Sequence, residues 1–176
     1  MIGKYQGTIK SKVAFAGVGL HSGKIVNLEV RPACANTGII FLRTDTPSGR
    51  PIVAHPYNVT STELCTSIGD GDDRIGTIEH LMAAFYGLGI DNAFVLVDAG
   101  ELPILDGSAA PFVDKLKEVG TEVQPCLRKV LVIKKPIEVQ NGDQFIRIDP
   151  WQSLAFECTI DFENSSAIGK QSAIGI

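Results

Sequence analysis

No C-x-x-C pair occurs among the four cysteines, Cys34, Cys65, Cys126 and Cys158, and no two of them stand closer than about thirty residues. That spacing writes neither a zinc ribbon nor a redox motif. No lysine or arginine cluster is longer than a pair, and sixteen basic residues against twenty acidic ones leave a net charge of −4. A general nucleic-acid or anionic-membrane surface is thereby disfavoured. The opening stretch MIGKYQGTIKSKVAF has no apolar segment followed by a small-residue cleavage site. No apolar run approaches the ~18 residues that a membrane span needs. These absences point to a cytoplasmic protein with free thiols, no nucleic-acid partner and no stable membrane insertion.

What is present is globular. Hydrophobic residues make up 44% of the 176 and charged residues 20%, a balance that disordered chains lack. The length suits one domain with a proper core, or one domain and part of a second. Short β-like runs dominate the first sixty residues: KIVNLEV places Val26, Leu28 and Val30 on one face, and GIIFLR is a second run. Leu81, Ala84, Phe85 and Leu88 recur at i, i+3, i+4 and i+7, which predicts an amphipathic helix from about Thr77 to Gly87. The apolar run NAFVLVDA follows. Ser108 is then placed to cap a second helix, with Pro111 in its first turn and Phe112, Leu116 and Val119 at helical spacing.

After Gly120 the texture changes. TEVQPCLRK reads as a linker, and KVLVIKKPIEVQ, QFIRIDP and LAFECTIDF read as strands, with QNGDQ a hairpin signal between the first two. The fold class is therefore α+β. A two-layer sheet-and-helix sandwich is expected over residues 1–126, and the first strands of a second α+β domain, cut short, over residues 127–176. About fifty residues are too few for a stable domain of their own.

Three histidines, His21, His55 and His80, bear on chemistry. Glu79 and His80 are neighbours in the first turn of the predicted helix, where backbone N–H groups and the macrodipole favour negative charge. One can hold a metal while the other faces its bound water, the division of labour of a zinc hydrolase. Taken alone, the pair reads more simply as a surface acid beside a satisfied histidine. GVGLHSGK brings His21 and Lys24 to a glycine-rich turn, able to meet a phosphate and equally ordinary between strands. Glu101 and Asp106 in GELPILDGSAAPF could orient a catalytic group, although Asp106-Gly107 is also a plain turn. Cys65 is either a reactive thiol or a small buried hydrophobe. His55, before a proline, reads as structural.

GVGLHSGK, NTGIIFLRTD, TIEHLMAAFYGLGIDN, GELPILDGSAAPF and TIDF, in this order and at these distances, are far more specific together than any one alone. In them the chain closely resembles the bacterial UDP-3-O-acyl-N-acetylglucosamine deacetylases of lipid A biosynthesis, the LpxC family, from about Gly7 to about Gln171. The resemblance implies a Zn2+-dependent amidohydrolase that removes the N-acetyl group from UDP-3-O-acyl-N-acetylglucosamine, built as two similar α+β domains. By position, His80 is a zinc ligand and Glu79 the general base. Cys65 falls in the segment that approaches the metal and meets substrate. Asp161 and Phe162 line the nucleotide pocket, where an aromatic face can stack on uracil. His21 and Asp106 stand as supports behind these groups.

The family's other two ligands, a His and an Asp in an H-K-x-x-D pattern, are expected past residue 176. Gln144 stands where a lysine is common, and residues 164–166 (NSS) where the family has His-Pro. The expectation is a deacetylase by descent with little or no turnover by these 176 residues alone. The alternative is a non-catalytic binding or interaction module, self-associating through apolar surface left exposed.

Overall fold

The computed structural model describes residues 3–162 and 168–175; residues 164–166 and their departure from the family pattern lie outside them. The architecture is mixed α+β, as expected. The chain forms two compact units, Met1–Arg128 and Lys129–Ile176.

The first unit runs β1 (Tyr5–Ile9), β2 (Val13–Val18), β3 (Ile25–Pro32), β4 (Ile39–Arg43), β5 (Ile52–Val53), β6 (Val59–Ser61), β7 (Ser67–Ile68), α1 (Glu79–Leu88), β8 (Ala93–Val97), α2 (Ala110–Val119) and β9 (Thr121–Leu127). Five strands form one sheet in the order β2-β3-β8-β4-β5. All neighbours are antiparallel except β4 and β8, which run parallel with Ile39 opposite Ala93 and Phe41 opposite Val95. Because successive side chains of a strand point to opposite faces, one face collects Val26, Leu28, Val30, Ile39, Phe41, Val95 and Val97. Leu81, Ala84 and Phe85 of α1 and Phe112 and Leu116 of α2 complete the same core. Each fully buried side chain of this size contributes roughly 1.5–3 kcal/mol relative to exposure. Phe15 of β2 meets Phe112 of α2 at a centroid distance of 5.1 Å.

Helix α1 starts at Glu79, two residues later than the periodicity predicts, because Thr77 stands at φ 57°, outside the helical region. It ends in a left-handed glycine: the Gly89 N–H reaches the Tyr86 carbonyl and the Ile90 N–H the Phe85 carbonyl. That is a Schellman stop, with Ile90 and Phe85 both in the core. Ser108 does not cap α2. The cap position is Ala109, and Ser108 Oγ accepts from the Ala110 N–H within its own turn.

The segment read as a linker is mostly strand β9, antiparallel to β1. The register jumps between Tyr5 and Gly7, so Gln124–Cys126 bulge opposite Gln6, and Pro125 falls where no ladder donor is needed. Gln124 is buried there, accepting from Asn92 Nδ2 at 2.7 Å and donating to the Ala33 carbonyl at 2.8 Å.

The second unit holds two hairpins, β10 (Ile137–Asn141) with β11 (Gln144–Ile148), and β12 (Phe156–Phe162) with β13 (Gly169–Gly175). The first forms at the QNGDQ signal. Residues 129–136, expected to belong to a long strand, carry no strand, and no ladder in the described residues pairs with them. No described residue from Lys129 onward is buried. No helix of the described residues is long and apolar enough to cross a membrane.

Candidate functional site

Glu79 and His80 stand side by side in the first turn of α1, both half-buried. The helix start is pinned on two sides. Gly76 exchanges backbone hydrogen bonds with the strand-like segment after β8, its N–H donating to the Gly100 carbonyl at 2.9 Å and its carbonyl accepting from Leu102 N–H at 3.0 Å. On the other side the Ile78 N–H reaches the Thr66 carbonyl at 3.4 Å, and the Thr66 N–H donates to Glu79 Oε2 at 3.1 Å. A Cβ at Gly76 would press on Cys65 Sγ at 3.4 Å and Ser67 Oγ at 3.3 Å. The glycine therefore lets the Cys65–Ser67 segment lie directly against the start of α1, with half-buried Cys65 next in sequence to the Thr66 that bonds Glu79.

A cleft of about 820 Å3 opens next to this junction, with His21, Arg43, Cys65, Arg74 and Glu101 among its lining residues. His21 is exposed at the rim. Arg43 is held in the wall: its guanidinium is bidentate to Asp45 at 2.7 Å and donates to the carbonyls of Asp72 and Arg74. The hydrogen bond from Arg43 draws the Asp45 carboxyl below its ordinary range and pushes the arginine up. Arg74 donates to Ser67 Oγ at 3.0 Å, tying the floor of the cleft to the Cys65 segment.

Glu101 is 5% exposed and serves the His21 turn. Its oxygens accept from the backbone N–H groups of His21 at 3.1 Å and Ser22 at 2.7 Å, and from the Thr77 hydroxyl at 3.5 Å. Burial works to raise this carboxyl, but hydrogen bonds from Ser22 and His21 outweigh it, and the net direction is down.

The structure thus gathers Glu79, His80 and Cys65 at one junction, with His21 and Glu101 around the adjoining cleft. Glu79, His80 and Asp106 are not among the residues lining it. Asp106 is exposed, and its Oδ1 accepts from Ser108 N–H and Oγ at 2.8 and 2.9 Å, the plain-turn alternative. Asp161 and Phe162 belong to the second unit, on opposite faces of β12, with Phe162 51% exposed. His55 Nδ1 accepts from the Tyr57 N–H and its ring lies 4.9 Å from that of Tyr57, a local cap. Sequence reading passed over Arg43, Arg74 and Ser67. Each is an isolated polar residue at a strand end or in a turn, and only their long-range contacts mark them.

Among the described residues no group of three or more His, Cys, Asp and Glu side chains is arranged to hold a metal ion. A catalytic zinc needs three protein ligands plus an open position, so these residues do not complete such a site by themselves.

The sequence profile described as UDP-3-O-acyl N-acetylglycosamine deacetylase, LpxC, matches residues 6–174. A UDP-3-O-acyl-N-acetylglucosamine deacetylase from Acidithiobacillus ferrooxidans is 46% identical over 90% of this chain and 52% of its own length. Its namesake in Citrifermentans bemidjiense is 51% identical over 83% of this chain and 48% of its own, and that of Geotalea uraniireducens 49% over 95% and 54%. The chain spans about half the length of the curated relatives it matches. With the profile match running over nearly all of its residues, the chain belongs to the LpxC family of UDP-3-O-acyl N-acetylglycosamine deacetylases.

Proposed function

We propose that this chain carries the Glu79–His80 part of a zinc-dependent deacetylase acting on UDP-3-O-acyl-N-acetylglucosamine in lipid A synthesis, in the cytoplasm. The observation that carries the reading is the pairing of these two side chains in the first turn of α1, locked to the Cys65–Ser67 segment, in a chain of this family. Zinc, when bound, would polarise the acetyl carbonyl and acidify water. His80 is the one donor offered here, and the remaining donors belong to residues other than those described. Glu79 has one oxygen engaged by the Thr66 N–H, which fixes its carboxylate and leaves the other free to accept a proton from the attacking water. Cys65 stands where the substrate would approach Glu79. His21 supports the adjoining rim, and Asp106 acts only on its own turn. Phe162 offers a ring face for uracil and Asp161 an acceptor for its polar edge.

A chimaera tests this, with this chain replacing the matching half of the Geotalea uraniireducens relative. Acetate release from UDP-3-O-acyl-N-acetylglucosamine is expected, falling by about 10²–10⁴-fold in Glu79→Ala. A folded chimaera that releases acetate undiminished by Glu79→Ala sinks the assignment of the base. For the 176-residue chain itself, elemental analysis after dialysis against a weak chelator is expected to show far less than one zinc per chain. A full equivalent would mean that a second copy, or an arrangement of donors not seen here, completes the site.

A further inference from the structure

The mechanism above leaves the buried carboxylate of Glu101 unused. Glu101 lies on a segment bonded to both walls of the site: Gly100 and Leu102 pair with Gly76 before α1, while Pro103 bridges to Gly19 and the Ile104 N–H donates to the Val18 carbonyl. Its side chain then joins the two walls. Oε1 takes the Ser22 N–H, and Oε2 takes both the His21 N–H and the Thr77 hydroxyl. A Cβ at Gly19 would collide with this carboxylate, so the glycine is what lets the loop close over it.

These donors are neutral groups. A buried carboxylate is costly unless its oxygens are filled by donors, and here the donors come from separate parts of the chain. One of them is Thr77, a β-branched residue at φ 57°. Such a residue in the left-handed region costs about 1–2 kcal/mol, and persists only where its surroundings hold it. It stands two positions before Glu79.

We propose that Glu101 is a positioning residue: its carboxylate locks the Gly19–Ser22 loop and the strained Thr77 turn into one piece, so that the placement of Glu79 and His80 at the start of α1 depends on it. The functional meaning of this clamp rests on the reading of Glu79 and His80 given above. The clamp itself does not, and it can be tested without metal or substrate.

The experiment is residue-resolved amide hydrogen exchange on the full 176-residue chain. Glu101→Gln keeps the shape but replaces one acceptor oxygen with a donor. It is expected to speed exchange at His21 and Ser22 by about tenfold or more, and also at Thr66, whose N–H reports on Glu79, while Leu28 and Val95 in the sheet stay within about twofold. Thr77→Val exchanges the hydroxyl for a methyl and is expected to release Thr66 while His21 stays protected; Thr77→Ser, which keeps the hydroxyl, is expected to restore it. Should Glu101→Gln fail to fold, the Thr77 pair decides alone. Unchanged exchange at His21, Ser22 and Thr66 in Glu101→Gln would overturn the proposal, as would acceleration spread evenly over β3 and β8. So would Thr77→Ser exchanging at Thr66 as fast as Thr77→Val. A chimaera that fails to release acetate leaves these readouts unaffected, so the two failures are distinguishable.

Discussion

In β3 the alternating residues Val26, Leu28 and Val30 are at most 1% exposed; in β10 the alternating residues Ile137 and Val139 are 49% and 62% exposed. Both strands carry one apolar face, and both are paired: Leu28 opposite Val97, Val139 opposite Ile146. The difference is a second layer. The sheet of the first unit lies under α1 and α2, whose Phe85, Phe112 and Leu116 close the core. The second unit has no helix of its own among the described residues. Alternation selects a face, and burial of that face requires something to pack on it; a lone two-stranded hairpin is marginal in water.

That contrast can be broken most forcefully at the core. Phe85→Ala is expected to cost about 3–5 kcal/mol, read as a lower denaturant midpoint by far-UV circular dichroism. Ile146→Ala in the second unit is expected to leave that transition within about 0.5 kcal/mol. Equal effects would mean that the second unit has a core of its own. Trp151, the single tryptophan, lies in the second unit and is 76% exposed, so its fluorescence should not follow the main transition.

A smaller effect is expected at the last residue of the first unit. Arg128 is bidentate to Asp91 at 2.7 Å and donates to the carbonyls of Gly3 and Gly89, with its side chain 12% exposed. Arg128→Ala leaves Asp91 partly buried without its partner, at about 2–3 kcal/mol. Arg147→Ala, which breaks exposed pairs with Asp149 and Glu138, should leave the same transition in place. Smaller again, Gly89→Ala puts a side chain at φ 68° and should cost about 1–2 kcal/mol. Gly142→Ala, at φ 59° in the β10–β11 turn, carries the same backbone penalty yet should not move the first unit's transition.

Acid sharpens the contrast most gently. The folded-state carboxyls of Glu101 and Asp45 lie below their ordinary values of 4.5 and 3.8. A group lowered on folding contributes stability that is fully present above its unfolded value and is lost as pH falls through its folded one. The first unit's denaturant midpoint should therefore hold above about pH 5 and decline below it, with a shallower decline in Glu101→Gln. A midpoint that rises on acidification would reverse the sign of this argument.

Much of the scaffold was legible from short-range pattern. Period two marked β3, short apolar runs marked β4 and β8, the i, i+3, i+4 spacing marked both helices, and Asn-Gly-Asp marked the β10–β11 turn, because each signal is written within about a dozen residues. The adjacency of Glu79 and His80 was likewise plain on the page. Its meaning came from the family resemblance, since a Glu-His pair in a first turn is ordinary by itself. The misreadings share a cause. Thr121–Leu127 looked like a linker because its partner strand lies over a hundred residues away, and residues 129–136 looked like a strand because apolarity cannot say whether a partner exists.

By itself the sequence determined most strands and both helices of the first unit, and which side chains could do chemistry. Only the tertiary structure decided which of those side chains meet. The Cys65 segment lies on the start of α1 because Gly76 leaves room for it, Glu101 reaches His21 from 80 positions away, and Thr77 is held at a positive φ by contacts outside its own turn. These are outcomes of packing, which brings donors and acceptors together across long stretches of chain and holds strain that no local preference would choose.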